Sequence, residues 1–208
     1  MATVRLQTPL DEALVRSLRI GDQVLLSGRI HTARDAAHKY LASEGTSPAT
    51  LPAGLELQGG VLYHCGPVMV RDDGGSWRVT AAGPTTSARE EPYQGEVLRR
   101  YGVRAIIGKG GMGPNTEYAC KNYKAIHCVF PAGNAVVAAT EVEEIVDAQW
   151  RDLGMPETLW HCRVKEFGPL IVSIDTEGRN LFEENKVIFN ERKDKAIEEI
   201  CKHVSFIK

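Results

Sequence analysis

Three short segments of this chain join cationic or hydroxyl side chains to a strand-to-helix corner, a geometry that makes anion sites. Backbone N–H groups at a helix N-terminus have no intrahelical partner and the helix dipole is positive there, so a carboxylate at such a corner is stabilised. In the first, Thr32-Ala33-Arg34-Asp35-Ala36-Ala37-His38-Lys39, Arg34 stands where a strand should end. Its guanidinium either grips a carboxylate through two hydrogen bonds or pairs with Asp35 or a surface acid. The second, Gly83-Pro84-Thr85-Thr86-Ser87-Ala88-Arg89, packs the hydroxyls of Thr85, Thr86 and Ser87 and the Arg89 guanidinium behind a half-buried strand. Ser87 with Glu90 three residues on also matches a capping box, so a well-capped helix is the other use of this segment. The third, Gly108-Lys109-Gly110-Gly111-Met112-Gly113, sets Lys109 among glycines that let the backbone approach a ligand closely. It lacks the spacing of a phosphate-binding P-loop, and a plain glycine-rich turn with an exposed lysine is its alternative. On one sheet rim, these groups suit a small ligand with two carboxylates. Neither a metal-ligand cluster nor a nucleophile-base pair has motif support, so the hard chemistry is expected elsewhere.

The elements that must position these corners follow from apolar periodicity. Gln23 to Ile30 reads as a strand and Asp35 to Ala42 as a short helix. Ser43 to Gly60, with Pro48 and Pro52, is a surface excursion. Gly60 to Val70 and Ser76 to Ala82 read as a hairpin turning at Asp72-Asp73-Gly74-Gly75. A helix near Tyr93 to Tyr101, with Pro92 in its first turns, a strand Ala105 to Ile107, a helix near Thr116 to Tyr123 and a strand Ala125 to Phe130 follow. The pattern then predicts a long helix from Ala135 to Leu153, strands Trp160 to Val164 and Leu170 to Asp175, and a helical tail from Leu181 to His203. Hairpin strands followed by βα alternation predict an α/β, three-layer β/β/α domain over residues 1–208, with a parallel core and an antiparallel flank.

The net charge of -2 gives no field that would draw the chain to nucleic acid or anionic lipid, so any cationic site must be local. Apolar stretches such as Leu170 to Ile174 fall far short of the ~20 residues that span a bilayer, and Asp11 and Glu12 follow Met1 to Leu10 where a secretory signal would need an apolar core. A cytoplasmic location is expected. The five cysteines, Cys65, Cys120, Cys128, Cys162 and Cys201, form no C-x-x-C pair and read mostly as buried thiols rather than a disulfide framework or a self-contained metal site.

The three corners, together with Phe130-Pro131-Ala132-Gly133-Asn134-Ala135 and the runs Gly154-Met155-Pro156-Glu157 and Phe167 to Asp175, resemble the class I fumarase and L(+)-tartrate dehydratase family of iron-sulfur hydro-lyases. The resemblance covers nearly the whole chain, and the later run is most like the tartrate dehydratase β subunits. It implies the swivelling β/β/α fold and a partner α subunit carrying a [4Fe-4S] cluster through its own cysteines, with no cluster ligand on this chain. Carried over residue by residue, it implies Arg34, Arg89 and Lys109 as clamps for a dicarboxylate, Thr85 and Thr86 as the hydroxyls nearest the reacting carbon, and Thr85 as the base assisted by Lys109. His38 and Asn134 stay outside this set. Dehydration of L(+)-tartrate to oxaloacetate is the leading activity. A two-subunit fumarase and a non-catalytic dicarboxylate-binding subunit are the alternatives.

Overall fold

Short runs of unbroken apolar residues in the middle of the chain form strands buried on both faces, as parallel strands flanked by helices must be. In the computed structural model, which describes residues 3–203, the elements in chain order begin with β1 (Thr3–Gln7), α1 (Glu12–Ser17), β2 (Gln23–Thr32), α2 (Asp35–Ala42) and β3 (Val61–Tyr63). There follow β4 (Val68–Arg71), β5 (Trp77–Ala81), α3 (Glu91–Tyr101), β6 (Ala105–Gly108), α4 (Pro114–Tyr123) and β7 (Ile126–Val129). The last are α5 (Ala135–Thr140), β8 (Val142–Gln149), β9 (Leu159–Ile174) and α6 (Leu181–Lys202).

The sheet runs β1-β2-β3-β6-β7-β9-β8, parallel from β1 to β7 and antiparallel at β9 and β8. β9 also pairs antiparallel with β2 from Gln23 to His31, so β2, β3, β6, β7 and β9 close on themselves. Alternation along each strand divides the interior in two. Val61, Tyr63, Ala105, Ile107, Ile126 and Cys128 face a core that includes Met69 and Val79 of the hairpin β4–β5, Ala138 of α5 and Phe167 of β9. Leu62 and Ile106 face the other way, onto Ala37 and Leu41 of α2, Val97 and Leu98 of α3, and Ala119 and Cys120 of α4. The result is the expected β/β/α layering, with a parallel core and an antiparallel flank.

Three local expectations are corrected. Gly60 to Val70 is two strands: Val61–Tyr63 joins the main sheet and only Val68–Arg71 pairs with β5, because His64-Cys65-Gly66-Pro67 leaves the ladder and Pro67 has no N–H to offer it. The helix predicted from Ala135 to Leu153 stops at Thr140, and Val142–Gln149 is a strand on β9. Its apolar residues satisfy both a helical and an alternating period, and the free edge of β9 decides between them. The strands Trp160 to Val164 and Leu170 to Asp175 are one, Leu159–Ile174. The tail helix forms as expected.

Five histidines among the described residues are buried: His31, His38, His64, His127 and, on β9, His161. Burial is the first cause that depresses each. His127 is held at about 3 by burial, His31 at about 3 with help from His161 and Arg29, and His38 at about 4, while His64 lies well below the usual range. Each is neutral in the folded chain and takes up a proton near 6.5 when unfolded. The stability they contribute is therefore complete above 6.5 and is lost as pH falls towards the folded values, by ~1.4 kcal/mol per histidine per pH unit. Glu90, pushed up to about 8 mainly by burial, has the opposite sign and offsets about one of them. Urea denaturation is expected to show stability falling steeply from pH 6.5 to 4.5, and His127→Gln to flatten that slope by about one proton. A pH-independent midpoint over this range would contradict the assignment.

The same region explains one glycine. A Cβ on Gly108 would lie 1.8 Å from Ser87 Oγ and 2.9 Å from His64 Nδ1, both buried. Gly108→Ala is expected to cost about 1 to 3 kcal/mol by overpacking, whereas Gly110→Ala meets open space and is strained only by its positive φ. Paired melting curves of the two variants would check this.

Candidate functional site

The carboxyl ends of the parallel strands, the edge at which open α/β sheets bind ligands, carry the three corners. β2 ends at Thr32 and passes through Arg34, the N-cap of α2. β3 ends at Tyr63 and passes through His64 and Cys65, and β6 ends at Gly108 and passes into Lys109. The segment after β5 is laid between the last two. Thr85 N–H donates to the His64 carbonyl at 2.7 Å, Lys109 N–H donates to the Thr85 carbonyl at 3.1 Å, and Ser87 N–H donates to the Lys109 carbonyl at 3.0 Å. Thr86 and Lys109 thus form a short parallel bridge. The sheet hydrogen-bond pattern continues through this rim, and it sets Thr85, Thr86 and Lys109 side by side. Thr85 and Lys109 are half-buried and Thr86 is exposed.

Arg34 and Arg89 are each paired with an acid. Arg89 donates to Asp35 at 2.5 Å, and Arg34 Nε lies 3.5 Å from a Glu157 carboxylate oxygen. Gly66 makes room for Arg34, since a Cβ there would lie 2.8 Å from its Cδ and 2.9 Å from the Pro156 carbonyl. Among the described residues Lys109 has no acidic partner within ion-pair distance. The expected anion-binding helix ends are partly filled by the chain itself. Glu157 accepts from Ala36 N–H at the start of α2, and Glu91 accepts from Gly113, Asn115 and Thr116 N–H at the start of α4. The ligand groups left available at the corners are therefore side chains rather than these amides.

Glu90 is fully buried, its carboxyl close to that of Asp35 and 3.5 Å from His38 Nδ1. Burial, then its hydrogen bond with Asp35 and the charges of Asp35 and Glu157, push it up to about 8, against the pull of Arg89. Burial would raise Asp35 too, but the hydrogen bond from Glu90 and the guanidiniums of Arg89 and Arg34 hold it below the usual range. A protonated Glu90 thus sits under an ionised Asp35 that faces Arg89.

Ser87 is not a cap. Thr86 takes the N-cap position of the 3₁₀ turn Ser87–Arg89 without a side-chain bond, α3 begins at Glu91 with Pro92 in its first turn, and Glu90 is buried instead of reaching back. The Ser87 hydroxyl points inward, 3.0 Å from His64 Nδ1 and 3.1 Å from His127 Nε2. His64 continues to Gln94 Oε1 at 2.9 Å, and His127 to Ser173 Oγ at 2.6 Å. His38, set aside on sequence grounds, is fully buried 3.1 Å from the Arg34 carbonyl, with its ring 5.0 Å from that of His64. His64, His127 and Gln94 were not singled out from the sequence, Glu90 entered only as the partner in a capping box, and Glu157 and Ser173 only within the longer runs that carry the resemblance. The available signal was a histidine within an otherwise apolar strand, as in Ile126-His127-Cys128, since a polar group buried there must find partners.

Cys65, Cys120, Cys128 and Cys162 are buried and Cys201 is exposed. Burial raises the four buried thiols, Cys128 and Cys162 to about 12. Among the described residues no three His, Cys, Asp or Glu side chains are grouped to hold a metal ion, so these cysteines do not fit an iron-sulfur cluster. No helix among these residues is long and apolar enough to cross a membrane. Asn134 caps α5 by position without a side-chain bond.

Residues 1–185 match the profile of the family described as Fumarase C-terminus. The chain is 49% identical over 203 residues to the L(+)-tartrate dehydratase subunit beta of Escherichia coli (strain K12), covering 98% of each. It is 37% identical over 177 residues to a putative L(+)-tartrate dehydratase subunit beta of Methanocaldococcus jannaschii, covering 84% of this chain and 89% of that one. It is also 42% identical over 181 residues to a putative class I fumarate hydratase of Geobacillus stearothermophilus, covering 87% of this chain but 34% of that protein. On a match that takes in nearly its whole length, this chain belongs to the Fumarase C-terminus family, together with the beta subunits of L(+)-tartrate dehydratase.

Proposed function

We propose that this chain is the β subunit of a cytoplasmic, two-subunit iron-sulfur hydro-lyase that dehydrates L(+)-tartrate to oxaloacetate, and that it supplies the dicarboxylate-binding residues. The observation that supports the reading is the backbone bridge between Thr86 and Lys109 at the carboxyl rim, which joins the main chains of Thr85, Thr86 and Lys109, the last without an acidic partner among the described residues. Arg34 and Arg89 flank it through the Glu157 and Asp35 pairs, which a bound diacid would replace. In this reading Arg34, Arg89 and Lys109 hold the two substrate carboxylates, and Thr86 orients the substrate. Thr85 Oγ accepts the proton from the carbon next to the one that loses hydroxide. The hydroxide leaves as water once protonated, and the enol that remains rearranges to oxaloacetate. A threonine oxygen acts as a base only as the alkoxide, and stabilising that negative charge is the task of Lys109.

A [4Fe-4S] cluster on the α subunit would supply the Lewis acid for the departing hydroxyl. The buried, scattered cysteines of this chain are consistent with a cluster held elsewhere. The exposed apolar side chains Phe182, Val187, Phe189 and Ile200 along α6 suit a chain that works against another. The name of the relative from Geobacillus stearothermophilus favours a second reading, fumarase activity, which on this shorter chain would be that of a two-subunit fumarase; malate and tartrate differ by one hydroxyl and discrimination needs a polar group at that hydroxyl.

Mixing the chain with an iron-sulfur α subunit and offering tartrate, malate and fumarate tests both readings. Tartrate turnover dominating supports the first, and fumarate and malate interconversion dominating supports the second. Arg89→Ala and Lys109→Ala are each expected to lose at least about tenfold in kcat/KM, the removal of a charged contact worth ~1.5 to 3 kcal/mol. Wild-type kinetics in either variant would remove that residue from the site. Calorimetry on the chain alone is expected to show weak tartrate binding or none; micromolar binding without the partner would point instead to a dicarboxylate-binding subunit.

A further inference from the structure

Gln94, His64, Ser87, His127 and Ser173 are buried, yet their side chains join one another through hydrogen bonds. The direction of every hydrogen in the series follows from its Gln94 end. The Gln94 amide oxygen faces His64 Nε2 at 2.9 Å and only accepts. His38 lies beside the series, its ring edge-on to that of His64 at 5.0 Å and its Nδ1 donating to the Arg34 carbonyl at 3.1 Å. His64 must donate through Nε2, which leaves its Nδ1 bare to accept the Ser87 hydroxyl proton at 3.0 Å. With its hydrogen committed, Ser87 Oγ accepts from His127 Nε2–H at 3.1 Å. The bare His127 Nδ1 then accepts from Ser173 at 2.6 Å, a shorter contact than the 3.1 Å from Ser173 to the His127 carbonyl.

We infer that this one-way chain of hydrogen bonds, running from Ser173 through His127, Ser87 and His64 to Gln94, positions the Thr85–Lys109 corner on the sheet for the reaction. Ser87, His64 and His127 are its positioning residues. The inference rests on the hydro-lyase reading for its consequence, and on hydrogen-bond geometry alone for its order. A chain with all donors pointing one way satisfies each linked atom once, and reversing any member would set two lone pairs or two hydrogens face to face. Burial keeps both imidazoles of the chain neutral, as the order requires. Ser87 is the member that reaches the corner itself: its backbone N–H is bound to Lys109 while its neighbours Thr85 and Thr86 line the rim.

Nitrogen-15 NMR of the histidines in the full chain near neutral pH reads the order directly. His64 and His127 are expected as Nε2–H tautomers and His38 as the Nδ1–H tautomer; an Nδ1–H tautomer at His64 or His127 would overturn the chain. This needs no variant, so it holds even where a substitution fails to fold. In the reconstituted enzyme, Ser87→Ala is expected to lower kcat at least about tenfold while KM stays within about threefold, and Ser87→Cys to recover part of the loss. A Ser87→Ala enzyme with wild-type kcat would show that the chain positions nothing. Turnover by the wild-type pair is the separate control: it disappears if the hydro-lyase reading fails, and is unaffected if only the order of the chain is wrong.

Discussion

A serine hydroxyl sealed from water and shared by two imidazoles is the contact around which this rim is assembled. Ser87 belongs to no strand of the sheet, yet its side chain is locked to the ends of β3 and β7 and its backbone to the end of β6. The turn that carries Thr85 and Thr86 is thus held both by its main chain and from beneath. The space for this is made by Gly108, where any side chain would displace the hydroxyl. A loop anchored only by its backbone ladder frays at the end of a strand, whereas one pinned through a buried polar group does so only by leaving that group unsatisfied, at about 1 to 3 kcal/mol.

Electrostatics at the rim follow a different rule from the interior below it. Beneath, burial keeps the histidines neutral and Glu90 protonated, so no net charge is stored under the site. Above, Arg34 and Arg89 are balanced by Glu157 and Asp35, and Glu91 and Glu157 occupy helix ends that would otherwise attract an anion. Lys109 is the cation that the described acids leave unbalanced. A chain of slightly negative net charge can thereby keep three cations on one edge without an extended positive field.

Much of this was legible in the sequence, and the failures have physical causes. The parallel strands, α2, α4 and the tail helix followed from apolar periodicity and from glycine and proline stops. The residues of the three corners were found because hydroxyl and cationic side chains there have no packing purpose. Val142–Gln149 was misread because its apolar spacing suits both a helix and a strand, and pairing with β9, set by residues far along the chain, decides it. The capping alternative for Ser87 fails because a capping signature is local while its partners, His64 and His127, lie 23 and 40 residues away. Glu157 and Glu91 were missed for the same reason: nothing in their neighbourhood says that they will neutralise a corner more than twenty residues distant.

The pairs at the rim also bear on how a site of this kind can be emptied and filled. An exposed ion pair such as Arg89 with Asp35 is worth at most about 1 kcal/mol, because water and salt screen it and two flexible side chains must be ordered. Replacing Asp35 by a substrate carboxylate therefore costs little, and two carboxylates on one small molecule gain at two clamps while losing translational freedom once. Those contacts strengthen only when water is excluded, and an edge on which Thr86 is exposed and Arg89 half-exposed does not exclude it. On the proposed reading, the covering partner thus contributes more than its cluster: by drying the rim, it converts weak surface clamps into strong ones at the moment the substrate is held.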